Sequence, residues 1–310
     1  MAPVSSGEEP RPAAGPANTR SGFIALAGRP NVGKSTLANA IVGVKVAIVS
    51  DKPQTTRRAI RGVANGPGWQ LVLVDLPGVQ RPRDALTERM QRRVERELAD
   101  ADGCLVVLNA EQGVGPGDRF IAALVESAPV PVVIAVNKVD RATRTRTVTT
   151  LQEAADLGIG AEIFPVSART GTGVARLTEH LVSLLPEGPL YFAAGQRSDQ
   201  AEEVHLAELV REQVLARTRE EVPHAVEVEI ESIETTPAGL VRLEAVVLVE
   251  TDSQKGILIG SGGRMIKAIG TAARRAIERE LGSQVHLALS VRVRRHWRAD
   301  ERVLDRLGIE

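Results

Sequence analysis

The sequence predicts an α/β domain with a mostly parallel sheet and helices on both faces, followed by a small α+β domain. Three observations carry this. From Phe23 to about Leu185, short apolar runs alternate with stretches of helical spacing. Residues 186–200, "PEGPLYFAAGQRSDQ", break that pattern with Pro, Gly and polar residues. Beyond them the apolar positions change from continuous runs to strict alternation. At 310 residues the chain is also long for a single core.

In the first part the runs are "FIALAG", "WQLVLVDLPG", "CLVVLNA", "VPVVIAVNK" and "EIFPVS". Each is too continuously apolar for a sheet with one wet face; strands buried on both faces read this way. "RDALTERMQRRVERELADA" and "GVARLTEHLVSLL" carry helical spacing between them, which makes a βαβ series.

In the second part a helix over about 200–219 precedes "AVEVEIESIE", where Val226, Val228 and Ile230 alternate with Glu227, Glu229 and Glu231. That alternation predicts a sheet with one wet face. "LVRLEAVVLVE" and "QVHLALSVRVRR" extend it, and a Gly-rich loop with a helix behind it separates them, giving the order α-β-β-α-α-β. The expected boundaries are a disordered tail over 1–21, a first domain over 22–186, a linker over 187–199 and a second domain over 200–310.

Composition narrows the chemistry. The net charge is zero, so any basic surface for nucleic acid has to be local. Cys104 is the single cysteine, which excludes an intrachain disulfide, and its place in "CLVVLNA" predicts a core thiol. No apolar run reaches the length of a membrane span, and the N-terminal stretch carries no signal-peptide core.

"GRPNVGKS" (28–35) matches G-x-x-x-x-G-K-[ST] after an apolar strand. Gly28 and Gly33 let backbone N–H groups around Asn31, Val32 and Thr36 converge on phosphates at a helix N-terminus. Lys34 adds a charge for the β- and γ-phosphates, and the Ser35 hydroxyl is a Mg²⁺ ligand. "NKVD" (137–140) then selects guanine: the Asp140 carboxylate accepts from N1–H and the N2 amine, a donor pair adenine lacks, while Asn137 and Lys138 complete the ring pocket. "DLPG" places Asp75 to hold Mg²⁺ through water and the Gly78 amide to sense the γ-phosphate. "PQTTRR" supplies a switch hydroxyl, Thr56 or its neighbour Thr55, and "SAR" sets Ser167 and Ala168 behind the base. Five such elements at successive strand ends predict a domain that binds GTP or GDP with Mg²⁺ and hydrolyses GTP.

One absence bears on rate. Ras-type enzymes place Gln directly after the D-x-x-G glycine. Here Val79 stands there, and Gln80 is one place too far. Unassisted turnover is expected near about 10⁻⁴ to 10⁻³ s⁻¹, so another positive charge must assist.

"GRPNVGKSTLANAIVG", "PQTTRRAIRGV", "DLPG", "NKVD" and "VSARTGTGV" resemble the Era family of bacterial GTPases. "ILIGSGGRMIKAIG" and "HWRADERVLDRLG" are similar to that family's type II KH domain, so the likeness covers residues 22 to about 308. The resemblance implies a switch that binds the 3′ end of small-subunit ribosomal RNA and assists the assembling small ribosomal subunit. It also implies a K⁺ ion, bound with help from Asn31, as the compensating charge, so that Lys34, Thr56 and Asn31 are the residues expected at the reaction. Leu76 departs from the Thr usual in the family. A cytoplasmic monomer without an obligate protein partner is expected; the alternative readings are a peripheral membrane-associated signalling GTPase and an RNA-binding protein for which GTP is only a structural ligand.

The KH reading assigns the second Gly-rich loop, Gly260-Ser261-Gly262-Gly263, as a clamp on single-stranded backbone. No basic residue lies between its outer glycines, so Lys255, Arg264 and Lys267 supply charge from the flanks. Residues 252–298 carry ten Lys and Arg against three Asp and Glu, including Arg292 and Arg294 on the last strand. Arg274 and Arg275 read equally well as partners of helix glutamates. Ile257, Ile259 and Ile266 are expected to line the base groove, and Trp297 to cap the domain's edge rather than stack on a base.

Overall fold

The computed structural model describes residues 19–309 apart from 53, 80–83, 127, 129 and 160–161. Most of the expected tail, residues 1–18, and Gln80 lie outside them. The first domain runs β1 (Arg20–Ala27), α1 (Lys34–Val42), β2 (Ile60–Gly66), β3 (Trp69–Asp75), α2 (Ala85–Asp100), β4 (Gly103–Asn109), α3 (Pro116–Glu126), β5 (Val132–Asn137), α4 (Arg144–Ala155), β6 (Glu162–Pro165) and α5 (Val174–Leu184). The strands lie in the order β2-β3-β1-β4-β5-β6, all parallel but β2, which runs antiparallel to β3.

β1 shows why its apolar run is continuous. Ile24 and Leu26 point into one core, with residues of α1 and α5, while Ala25 and Ala27 point into the other, with Val94 and Leu98 of α2. Both faces are covered, so neither register position can be polar. On α2, Leu86, Met90, Val94 and Leu98 recur at four-residue intervals and are all buried, and an Asp84 capping box with Thr87 starts the helix. Strand β2, "IRGVANG", carries two glycines and an asparagine and gives little β signal; pairing with β3 along its whole length makes it a strand.

The second domain runs α6 (Glu202–Arg217), α7 (Val222–Ala225), β7 (Glu227–Thr235), β8 (Val241–Val249), α8 (Asp252–Ile259), α9 (Arg264–Leu281), β9 (Val285–Val293) and α10 (Glu301–Arg306). β8 is central, antiparallel to β7 and parallel to β9. Leu206, Val210 and Val214 of α6 and Ile269, Ala273 and Ile277 of α9 pack on Val228, Leu243, Ala245 and Val247.

The opposite face departs from the expected wet face. Val246 and Leu248 lie in a cluster with Trp297, Val303, Leu304, Leu307 and Ile309, and with Leu86 and Met90 from α2 of the first domain. Glu227 is fully buried there. The reason is an interface that no periodicity announces: the first domain covers the start of β7 and places Arg57 2.7 Å from the Glu227 carboxylate. Trp297 is also fully buried, its indole N–H donating to the Ala225 carbonyl at 2.9 Å, with the Arg57 guanidinium 5.5 Å above the ring.

The segment expected as a linker is strapped to the first sheet. The buried Gln70 side chain accepts from the amides of Tyr191 and Phe192 and donates to the Phe192 carbonyl. The Val63 amide donates to the Arg197 carbonyl, and the Phe23 and Tyr191 rings lie 4.8 Å apart. At the other end Thr19 and Ser21 donate side-chain hydrogen bonds to Gly188 and Pro189. Cys104 sits in the β4 core, where burial pushes its thiol up to about 12, away from nucleophilic use.

Candidate functional site

The P-loop joins β1 to α1, and its conformation follows from its residues. Gly33 caps α1 at φ 102°, where an added Cβ would run into the Asn137 side-chain amide. Lys34, the first helical residue, is buried and donates to the Gly28 and Arg29 carbonyls at 3.0 and 3.2 Å. Burial pulls its ammonium down to about 8, against the pull of Asp75 in the other direction. The lysine thus rests on loop carbonyls in a site that disfavours its own charge.

Three oxygen groups meet beside it. Ser35 Oγ donates to Asp75 Oδ2 at 2.6 Å, Thr56 Oγ1 donates to the same oxygen at 3.2 Å, and the two hydroxyls are 3.1 Å apart. Asp75 Oδ1 is buried without a hydrogen-bond partner, and burial raises the carboxyl's pKa although Lys34, Ser35 and Thr56 oppose it. A hard cation answers both conditions, so the donor set fits Mg²⁺. Thr55 is not in this group; its hydroxyl donates to the Lys52 carbonyl at 2.7 Å. Among the described residues no group of three or more His, Cys, Asp or Glu could hold a metal ion.

Two adjoining cavities open at this end of the sheet. One of about 50 Å³ is lined by Asn31, Gly33, Lys34, Ser35, Thr56 and Gly78 among others. The second, of about 400 Å³, is lined by Asn31, Asn137, Lys138, Asp140, Ala168 and Arg169 among others. Thr36 borders both. Gly78 stands so close to Pro30 that a side chain would meet its backbone at 3.0 Å. Asn31 takes φ 64° and donates to the Asp51 carbonyl at 2.6 Å.

At the second cavity the residues divide between contact and support. Asn137 is buried; its amide donates to the Val32 carbonyl and its oxygen accepts from the Ala168 amide, both at 3.0 Å. Lys138 Nζ donates to the Asn31 carbonyl at 2.6 Å, and partial burial and Arg141 lower its pKa. Buried Ser167 donates to Asp140 Oδ1 at 2.7 Å and so orients that carboxylate. Gly28 and Val32 border neither cavity: Val32 is a core side chain, and a Cβ on Gly28 would meet the Val107 carbonyl. Val49, Ser50, Asp51 and Arg141 also line the cavity; no motif marks them. Val79 is buried and its amide donates to the Gly28 carbonyl at 3.3 Å, while Leu76 is a core residue.

On the second domain, Ser261–Gly263 forms one tight turn between α8 and α9, with Gly260, Gly262 and Gly263 at φ 70°, 61° and 76°. The Gly260 and Gly263 amides donate to the Gly256 and Gly260 carbonyls, so they serve the turn itself. Arg264 folds back onto the Ser261 carbonyl at 3.2 Å, Lys255 is half-buried, and Lys267 is exposed. A groove of about 300 Å³ runs beside the loop, lined by Ile266, Lys267, Gly270, Thr271, Arg274, Leu287 and Leu289. Of the three isoleucines expected at the base groove, Ile266 borders this cavity; Ile257 is exposed on α8 and Ile259 is half-buried at its end. Leu287 and Leu289 of β9 form the groove's other apolar wall. Arg292 and Arg294 sit in exposed ion pairs with Glu231 at 2.9 Å and Asp300 at 3.0 Å, and Arg274 pairs with Glu278 at 2.8 Å. Such pairs are weak enough to exchange for phosphate.

Comparison with known proteins agrees with both halves. Residues 23–138 match the family described as 50S ribosome-binding GTPase, and residues 221–298 match the KH domain. GTPase Era of Heliobacterium modesticaldum is 44% identical, the match spanning 94% of this chain and 97% of that protein. GTPase Era of Mycobacterium tuberculosis is 44% identical over 93% and 98%. Among solved structures, a variant of Aquifex aeolicus Era bound to GDP and AlF₄⁻ superposes with a TM-score of 0.90 at 33% identity, covering 94% of this chain and 99% of that one. Era in complex with MgGDPNP and nucleotides 1506–1542 of 16S ribosomal RNA gives the same TM-score, identity and coverage. With this identity sustained through a P-loop GTPase domain and a KH domain, the chain belongs to the GTPase Era family.

Proposed function

We propose that the protein hydrolyses GTP and uses the cycle to bind and release the 3′ end of small-subunit ribosomal RNA during small-subunit assembly. The convergence of Ser35, Thr56 and Asp75 beside a buried lysine carries the enzymatic half. Ser35 and Thr56 would hold Mg²⁺ directly and Asp75 through water; the ion would supply positive charge for the β- and γ-phosphates. Lys34 trades its loop carbonyls for phosphate oxygens, and the Gly78 amide reports the γ-phosphate. Asp140, oriented by Ser167, reads the guanine edge, and the alkyl stem of Lys138 covers one ring face. The RNA half rests on the Gly-rich turn, the adjoining groove and the flanking Lys255, Arg264 and Lys267.

Val79 orients no water, so the reading includes K⁺ near Asn31 as the charge that speeds hydrolysis. Turnover at fixed ionic strength is expected to be faster in potassium than in sodium; equal rates would remove K⁺ from the mechanism. The switch is tested by titrating a 3′-end small-subunit rRNA oligonucleotide with GTP analogue, GDP or no nucleotide. Tighter binding with the analogue is expected, and equal affinity in all three would sink the switch while leaving RNA binding intact. No helix among the described residues is long and apolar enough to cross a membrane. We place the protein in the cytoplasm, and co-sedimentation with anionic vesicles tests peripheral contact.

A further inference from the structure

Thr56 completes the oxygen cluster from a loop that both domains hold. Residues 43–59 contain no helix or strand among those described, and a loop of that length keeps one conformation only if something outside orders it. Asn39 fixes the beginning through the Val46 and Ala47 amides, and Asn31 takes the Asp51 carbonyl. Val46 is buried in the first domain's core and Ala59 packs on that domain's other core, and further anchors belong to the second domain. Ile48 is buried in that domain's core rather than in its own. The Val49 amide donates to Glu212 at 3.1 Å, and Lys45 is paired with the same carboxylate. Arg211 Nη2 donates to the Thr55 carbonyl, immediately before Thr56.

The Arg211 contact has the geometry of a positioning device. Its side chain is fully buried, and Glu208 grips it with both oxygens, Nε at 3.0 Å and Nη2 at 2.7 Å. A planar guanidinium held by such a fork has a fixed orientation, so the direction of Nη2 toward the loop is set by α6. The Thr55 carbonyl belongs to the peptide that leads into Thr56, so where it is pinned decides where the Thr56 hydroxyl points. A lysine could supply the charge but not the fork.

We propose that Arg211 and Glu212, on α6 of the second domain, are positioning residues for GTP hydrolysis: they hold the backbone from Val49 to Thr55 so that the Thr56 hydroxyl meets Ser35 and Asp75. This rests on the GTPase reading given above. It makes the helix that packs on the RNA-binding sheet part of the apparatus that completes the Mg²⁺ site.

The test uses the full chain with Arg211→Lys and Glu212→Ala, the latter removing no buried charge pair. Turnover, the Mg²⁺ concentration for half-maximal turnover, GDP affinity and amide hydrogen exchange over residues 48–58 are measured in each. Both variants are expected to turn over about tenfold to a hundredfold more slowly, as misplaced reacting groups do, to need several times more Mg²⁺, and to exchange faster over 48–58. GDP affinity stays at the wild-type level. Wild-type turnover and Mg²⁺ requirement in both folded variants would overturn the proposal. So would an equal loss of GDP affinity and thermal stability, which marks a merely structural role. If Arg211→Lys does not fold, Glu212→Ala decides alone. If the wild type hydrolyses no GTP, the proposed function fails, and the exchange over 48–58 still decides whether the clamp exists.

Discussion

Asn137 donates to the Val32 carbonyl and accepts from the Ala168 amide, each at 3.0 Å, so one buried side chain ties the phosphate loop to the loop after β6. Asn137→Ala leaves two buried backbone groups unpaired, at a cost of about 1–3 kcal/mol each. We expect GDP and GTP to lose affinity together, by about tenfold or more, in calorimetric titrations. Gly33→Ala should do the same, since the new methyl group collides with that amide at a left-handed backbone position.

Lys34 links nucleotide binding to pH. Burial lowers its pKa from 10.5 to about 8, and a phosphate beside it would raise it again. Below about pH 8 the lysine is charged before and after binding, so affinity is flat. Above it, binding takes up a proton and affinity falls as pH rises. Calorimetry at pH 8.5 in two buffers of different ionisation enthalpy should show that uptake, and Lys34→Met should abolish it.

Glu227 governs acid stability at the domain interface. Burial alone would raise its pKa, but Arg58, Arg211 and Arg57 hold it down, from 4.5 to about 2. A depressed carboxylate contributes stability above its unfolded pKa and loses it as pH falls, here from about 4.5 toward 2. Urea unfolding midpoints should drop across that window. Glu227→Gln, which leaves buried Arg57 without a carboxylate partner and Arg58 and Arg211 sharing Glu208, should cost about 3–5 kcal/mol at neutral pH and flatten the acid dependence.

The RNA interface predicts a separation of effects. Gly262 sits at φ 61° with open space where a Cβ would go, and Asn and Asp tolerate that conformation better than other residues. Gly262→Asp should therefore abolish RNA binding by charge, Gly262→Asn should largely retain it, and GTP binding should survive in both. Lys267→Ala should lower the slope of log affinity against log salt by about 0.7, the value for one phosphate contact on a single strand.

The first domain's strands were legible because both faces of its sheet are buried, leaving runs such as "CLVVL" with no polar position. β2 was not, because its pairing with β3 and not its residues makes it a strand. The nucleotide motifs announce their residues by spacing. They do not announce that Asn137 and Ser167 act by orienting others, which only their partners reveal. Glu227 misled for a clear reason: alternation predicts which side chains share a face, and nothing in "VEVEIE" says that a second domain covers that face. The "RR" that follows the switch threonine carries the matching half of that contact, with Arg57 and Arg58 at buried and nearly buried positions. Two sequence stretches about 170 residues apart had to be read against each other, and charge alone does not pair them.

Trp297 gives the interface an optical consequence. The chain has two tryptophans, and the other, Trp69, lies on the first sheet. Trp297 has no solvent exposure and a cation above its ring, both set by how the two domains meet, while its indole nitrogen is held by a carbonyl of its own domain. Its emission wavelength and intensity thus shift whenever Arg57 leaves. With Trp69 replaced by phenylalanine, the fluorescence of the unlabelled protein becomes a clock for domain separation, readable in stopped flow as nucleotide or RNA is mixed in.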